Sequence, residues 1–412
     1  VKKAAGACLA FALLLAACQG GGNREDAGRE ALGRYRGQAH ALATESLQGA
    51  RRLHAAVLEL EAAPAPASLE AARAAWRAAR VPYSRSEALR FGNWFVDEAD
   101  EWLNAWPVDE GLLDYVADDY SASATNPWAR LNLVAAPDAI ELNGQRFATA
   151  PMQRIVPKSL QAMGDMETQV ATGYHAIEFL LWGQDRNPHG PGDRPWTDFD
   201  ATARCTSGTQ PAPARQCSRR ARLLVSLLEL LIQDLERLQA QWADTPGSYG
   251  DRLVQGDVAH GLRRALFGLA AMSGEEMAGE RLQVALLSGV QEEEQDCFSD
   301  DTHRSLLHNG EGVELLYRQS LADYARRHAP AQAKELEAAL EDSRRALLAL
   351  HAAGEAGQGF DRLIGEERDI GQPLLQAAID ALARQALAIE ALGAVLAPGP
   401  LNPAAPSAAG TR

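Results

Sequence analysis

"SLQAMGDMETQVATGYHAIEFLLWG", residues 159–183, is the stretch on which the reading of the chain turns. Met163, Met166, Val170, Tyr174, Ile177 and Leu181 recur at intervals of three and four, the repeat of a helix with one buried stripe. The spacing predicts a helix that starts near Ser159 and runs through the block. His175 and Glu178, three apart, share an edge beside that stripe, where a cleft or a second domain can meet them. Gly173 leaves room for a closely packed helix or a closely approaching ligand.

The same helical periodicity extends over most of the 412 residues. Residues 26–62 form one such run, closed by "APAPAS". "SLEAARAAWRAARVPYSRSEALRF" forms the next, with Ser68 as its expected N-cap and Pro82 as its expected kink or end. The region from 92 to 116 is less regular and dense in tryptophan and acid, and residues 132–160 read mostly as loop and short turns. Further helices are expected over 219–241, 256–290, 305–328, 330–353 and 372–396. No stretch alternates long enough to demand a sheet. The expectation is all-α: two helical-bundle domains packed against each other, 28–200 and 219–396, joined by a linker over 201–218, with a disordered tail over 397–412.

The first residues, "VKKAAGACLAFALLLAACQGGG", place two lysines before an apolar run that ends in Leu15, Ala16, Ala17 and Cys18. This is the pattern of a bacterial lipoprotein signal, 1–17, with Cys18 as the lipidated residue and 18–27 as a flexible tether. The run is too short for a membrane span. The expected location is the bacterial cell envelope, membrane-anchored and facing the periplasm. In that oxidising setting Cys205 and Cys217 are expected to close the loop "CTSGTQPAPARQC", leaving Cys297 either buried or reactive. The formal net charge is −15, and no basic patch is interleaved with aromatics, so nucleic acid is not an expected partner.

Two side chains three apart on a helix can give two ligands to one metal. Imidazole suits iron, zinc or copper, and carboxylate suits iron or zinc. Two ligands do not complete a site, and a buried hydrogen-bonded pair is the plain structural alternative. The zinc-peptidase helix His-Glu-x-x-His is absent, because Ala176 follows His175 and position 179 is Phe179. Gly-rich phosphate loops and Gly-x-Ser-x-Gly nucleophile turns are absent too.

Other ligands are sought in two places. "GEEMAGERLQVALLSGVQEEEQDCFSDDTH" puts Glu276 and Glu280 four apart on one expected helix face, with Asp296, Asp300 and His303 after it. "YSRSEALRFGNWFVDEADEWLNAWPVDEG" supplies Glu87, expected to pair with Arg90 three residues on, and Asp109 and Glu110 beside Trp94, Trp102 and Trp106, which either fill core or line a cleft. The candidate metal- or ligand-binding set is therefore His175, Glu178, His303, Glu87, Asp109 and Glu276. No residue is assigned a catalytic role.

The block Gly173, His175, Glu178 resembles the Gly-x-His-x-x-Glu hallmark of the imelysin-like family, also called the M75 peptidase family. "GYHAIEFLLWGQD", "ARVPYSRSEALRFG" with "NAWPVDEGLLDYV", and the acidic block after residue 274 extend the resemblance over roughly 28–395. It implies an all-helical fold with a site where two bundle-like domains meet. It also implies an envelope protein connected to iron uptake or homeostasis, with iron the favoured metal, zinc the next, and iron-transport proteins among its partners. Metallopeptidase activity of the M75 type is the alternative, and a partner-binding envelope protein without a metal site is the third reading.

Overall fold

The computed structural model describes residues 4–120, 128–142, 144–149, 155–162 and 170–401. The first helix, α1, runs Ala4–Ala62, and α2 follows over Pro66–Ser86. After these come α3 (Trp94–Leu103), α4 (Glu110–Leu113), the hairpin strands β1 (Ala139–Leu142) and β2 (Gln145–Ala148), α5 (Ile155–Ala162) and α6 (Gly173–Trp182). A two-stranded ribbon, β3 (Thr206–Ser207) and β4 (Gln210–Pro211), precedes α7 (Ala214–Trp242). The second half is α8 (Tyr249–Gln255), α9 (Val258–Ala271), α10 (Ala285–Ser288), α11 (Thr302–Leu316), α12 (Ala322–His328), α13 (Pro330–Glu355), α14 (Phe360–Ile364) and α15 (Arg368–Leu396). Both pairs of strands are antiparallel and short, so helices carry the fold.

α1 threads the molecule. It packs on α2 and α7 and also on α9 and α12. One bundle is α1, α2, α6 and α7; the other is α9, α11, α13 and α15. α7 joins the first although it begins within the 201–218 segment. α11 packs on α2 and α13 and so links the two groups. Buried apolar side chains form one contiguous cluster through both, with Trp76, Trp182 and Trp242 among its largest members.

Several local expectations need correction. α2 starts two residues before Ser68; the Ser68 hydroxyl instead accepts the Ala65 N–H at 3.0 Å from inside the first turn. Pro82 lies within α2, and the helix runs on to Ser86 before tightening into a 3-10 turn over Glu87–Leu89. The helix expected from Ser159 is two elements: α5 is described over Ile155–Ala162, Val170 bridges Val108, Thr172 is extended, and α6 begins afresh at Gly173. Met163 and Met166 lie outside the described residues. Residues 24–27, expected in a flexible tether, belong to α1, and Arg24 donates to the carbonyls of Val395 and Leu396. At the other end Ala397 is buried and Leu401 packs on the core, so the expected disordered tail is anchored there; residues 402–412 lie outside the described residues.

The helix after α9 carries a π-helical run, Met272–Val284, before α10. There i→i+5 bonding replaces i→i+4. Glu276 is thereby brought to Arg281, five residues on, at 2.7 Å, while Glu280 points to solvent. The shared face expected for Glu276 and Glu280 does not form. Cys205 and Cys217 are joined as a disulfide that ties the ribbon to the start of α7, and Cys297 is free. Among the described residues no helix is long and apolar enough to cross a membrane.

Candidate metal centre

All ten residues of α6 are buried, His175 and Glu178 included. The edge expected to face a cleft or a second domain is packed: α2 and α7 flank the helix, and the loop 290–301 from the later part of the chain covers His175 and Glu178. Gly173 starts α6 at φ +85°, in the left-handed region. A Cβ there would lie 2.6 Å from the Leu103 carbonyl oxygen, so the glycine serves the close approach of the α3 terminus. The Trp76 indole N–H donates to the Tyr174 carbonyl at 3.0 Å and fixes the first turn against α2.

His175 Nδ1 lies 3.1 Å from Glu178 Oε2 and 3.6 Å from Asp296 Oδ1. One ligand atom from each of these three residues falls within 4.8 Å of the others. The three side chains are fully buried. Ser299 donates to Glu178 Oε1 twice, from its backbone N–H at 3.0 Å and from its hydroxyl at 2.7 Å. Arg80 donates to Asp296 Oδ1 at 2.9 Å and to Asn104 Oδ1 at 2.5 Å. His175 Nε2 and Asp296 Oδ2 are buried with no hydrogen-bond partner among the described residues. Buried polar atoms are rarely left so, and each such atom asks for an explanation.

Burial, with the Arg80 guanidinium beside it, holds His175 well below the usual imidazole range, so the ring is neutral. Burial and the neighbouring Asp296 carboxylate push Glu178 well above the usual carboxylate range, against the opposing pull of Ser299 and Arg80. Arg80 remains charged: burial opposes its charge, and Asp296, Glu87 and Glu178 outweigh it.

Around this centre lies a second layer of buried polar groups. Glu87 accepts from Arg281 Nη2 at 2.6 Å and from Asn309 Nδ2 at 3.0 Å. Asn104 donates to Glu87 at 3.4 Å and accepts from Arg80, which connects Glu87 to Asp296 through side chains alone. The Glu87–Arg90 pair expected from their spacing is not made; Arg90 turns to Asp97, Asp100 and Glu276. Glu276 would be raised by burial, but Arg281 and Arg90 hold its pKa below the ordinary value, so it is an ion-pair partner outside the ligand group.

The other candidates go elsewhere. Asp109 caps α4, accepting the Leu112 N–H at 3.2 Å and the Tyr120 hydroxyl at 3.3 Å. His303 shares a hydrogen bond with Glu355 at 3.1 Å and stacks on His351, their ring centres 5.4 Å apart. Among the described residues after 290, Asp296 is the acid that joins His175 and Glu178, while Asp300 groups with Glu294 and Asp361. Trp94 is exposed and lines a surface cleft with Tyr249, Arg252 and His260, and Trp102 and Trp106 are half-buried, so the three rings do not fill the core.

Arg80, Ser299, Asn104, Arg281 and Asn309 were not anticipated as parts of this arrangement. Arg80 had a signal. It stands four residues after Trp76 on the face that buries Leu69, Ala72, Trp76, Ala79 and Tyr83. An arginine in such a stripe needs a buried anion.

Asp296 is followed directly by Cys297 and Phe298, which line a surface cleft of about 490 Å³ together with Glu110, Tyr120, Asp185 and Gln291. The Phe298 ring rests on Phe179 of α6, with centres 5.2 Å apart. The buried centre and the cleft therefore share a wall. Burial, together with Glu178, Glu110, Glu294 and Asp185, pushes the Cys297 thiol well above its usual range, which makes it a poor nucleophile.

A segment of 65 residues is 40% identical to iron-regulated protein A of Synechococcus elongatus, covering 16% of this chain and 18% of that protein. A solved structure of an iron-regulated protein A precursor from Parabacteroides distasonis superposes with a TM-score of 0.61 at 16% identity, over 90% of this chain and 95% of the other, which establishes the shared fold. The family model for imelysin, peptidase M75, matches residues 39–389, with α6 and the loop 290–301 inside the match. The chain belongs to the imelysin family.

Proposed function

We propose that the chain holds one transition-metal ion, iron before zinc, at His175, Glu178 and Asp296. In this reading it does so as an envelope lipoprotein anchored through Cys18, serving iron uptake or homeostasis beside iron-transport proteins. The observation that carries the reading is the convergence of one imidazole and two carboxylates, with His175 Nε2 and Asp296 Oδ2 lacking a hydrogen-bond partner among the described residues. One nitrogen and two carboxylate donors suit iron or zinc, and three is the usual minimum of protein ligands for zinc. The names of the Synechococcus and Parabacteroides proteins, both iron-regulated, support iron over zinc. Bound there, the ion supplies Lewis acidity and, as iron, one-electron chemistry.

The chain's own groups are arranged for holding. His175 is already neutral and offers a lone pair without first losing a proton. Ser299 orients Glu178 with two donors, and Arg80 orients Asp296. The three donors are enclosed, whereas a metallopeptidase keeps a coordination position open to water and substrate. Retention of an ion is therefore favoured over turnover of a peptide.

The test is a titration of metal-stripped full chain with Fe(II), anaerobically, and with Zn(II). One equivalent should bind and raise the melting midpoint, worth about 2.7 kcal/mol at a hundredfold excess over Kd. His175→Ala and Asp296→Asn should abolish that gain. A His175→Ala protein that melts lower yet gains as much from metal as the wild type would leave His175 and Glu178 a structural pair. Chelator-sensitive cleavage of a peptide library, lost in Glu178→Gln, would assign the peptidase reading instead.

A further inference from the structure

The loop 290–301 turns its acids to two sides. Asp296 faces inward to His175. Glu294 and Asp300 face the other way, toward Asp361 at the start of α14, and one oxygen from each of the three lies within 4.8 Å of the others. Glu294 is fully buried, and neither of its carboxylate oxygens completes a hydrogen bond among the described residues. Burial, with the Asp300 and Asp361 carboxylates beside it, pushes Glu294 well above the usual carboxylate range, against the Thr302 hydroxyl, which itself accepts the Asp296 N–H at 2.9 Å. Asp300 Oδ1 is also buried and unpartnered.

A fully buried carboxylate with two unbonded oxygens, pointed at two further carboxylates, is unstable without a positive partner. The arginines nearby are committed elsewhere. Arg77 donates to Asp301 and to the Ser299 carbonyl, and Arg304 to Asp301 and Glu355. Arg362 is held by Glu367 and the Gly357 carbonyl. Asp185 adds negative charge from the facing loop but has its own donors, Gln291 and the Asn187 N–H. Burial and the mutual repulsion of these acids push Asp300 up to about 7 and Asp185 up to about 6. Gly359 lies against two of the acids: a Cβ there would fall 2.5 Å from Asp361 Oδ1 and 3.6 Å from Asp300 Oδ2.

We propose that Glu294, Asp300 and Asp361 bind a hard divalent cation of the calcium class. All three donors are carboxylate oxygens, the set that calcium prefers and that lacks the imidazole of the His175 centre. The two sites lie on opposite sides of one loop. A cation here fixes Glu294 and Asp300, and through them the backbone that presents Asp296 and Ser299 to His175 and Glu178. The inference does not depend on which metal, if any, occupies the inner centre.

The experiment uses the full chain stripped with EDTA and titrated with CaCl2, followed by calorimetry and thermal melts, with Glu294→Gln, Asp361→Asn and His175→Ala alongside. Calcium should bind at one equivalent and raise the midpoint of the wild type and of His175→Ala alike. Asp361 is half-buried, so Asp361→Asn should fold, and its calcium affinity should fall by at least the about 10–100-fold that loss of an outer-shell partner costs. Stripped Glu294→Gln keeps the size of the side chain and should melt near stripped wild type, and it should show no calcium shift. A calcium shift retained in both carboxylate variants would overturn the proposal, as would a wild type with no shift. Loss of the shift in His175→Ala alone would move the ion to the inner centre.

Discussion

At the scale of single residues, Gly173 shows how a backbone constraint and a ligand motif come to share a short stretch. Its φ of +85° and the Leu103 carbonyl 2.6 Å from a would-be Cβ leave no room for any other residue. The two residues that follow put Tyr174 under Trp76 and His175 over Asp296. Gly173→Ala must either strain φ or push α3 away, and left-handed strain alone costs about 1–2 kcal/mol. We expect a total loss of at least about 2 kcal/mol with the clash added, read as a lower urea midpoint at unchanged m-value. Metal affinity should fall with it, because α6 carries two of the three ligands. A variant with an unshifted midpoint would show that α3 yields freely and that the glycine serves something else.

At the scale of elements, α2 and α11 decide where the centre sits. α2 supplies Arg80, and α11 begins at Thr302, directly after the acid loop. Their crossing is close: a Cβ at Gly312 would lie 2.1 Å from the Arg85 carbonyl oxygen, and Arg85 pairs with Glu311 at 2.8 Å beside it. Hydrogen bonds from His308 and Arg85 hold Glu311 down at about 2, below the ordinary carboxylate value, against the effect of partial burial. A depressed carboxylate stabilises the fold above its unfolded pKa, and the contribution is lost as pH falls through the folded one. Glu311→Gln should therefore melt below wild type at pH 7, by no more than about 1 kcal/mol because both side chains are a third exposed. The gap should narrow from about pH 4.5 and close near pH 2. A gap that is constant across this window would mean that packing at the crossing, and not charge, sets the effect.

The helices themselves were legible, because their buried positions repeat locally: the expected 305–328 is α11 through α12, and 330–353 is α13. The π-helical run was not, since its register change shows only once Glu276 meets Arg281. Of the centre, His175 and Glu178 could be read as a pair. That Asp296 would join them and His303 would not depends on contacts more than 100 residues apart in sequence, such as Ser299 with Glu178 at a separation of 121, which no local pattern encodes.

At the scale of the whole molecule, a second buried charge network joins α7 to the segment that precedes it. Arg220 of α7 is fully buried and holds Asp114 with two bonds of 2.6 and 2.9 Å, and it donates to the Asp198 carbonyl at 2.5 Å. Arg194 bridges Asp114 and Asp198 at 2.9 and 3.0 Å. Together with the disulfide, this network fixes the segment from 184 to 213 against α7. The same segment reaches the acid loop through the Gly192 N–H, which donates to the Phe298 carbonyl at 2.9 Å, two residues from Asp296. Removing one partner of such a buried pair strands the other, at a cost of about 3–5 kcal/mol. Arg220→Ala should therefore unfold at markedly lower urea. Arg220→Lys should recover only part of the loss, because an ammonium group cannot reproduce the two-pronged hold on Asp114. If the 184–213 segment steadies the acid loop, amide exchange over 290–301 should also quicken in Arg220→Ala under conditions where α13 and α15 stay protected. Exchange that quickens everywhere alike would mean that the network supports the fold as a whole and has no particular hold on the loop.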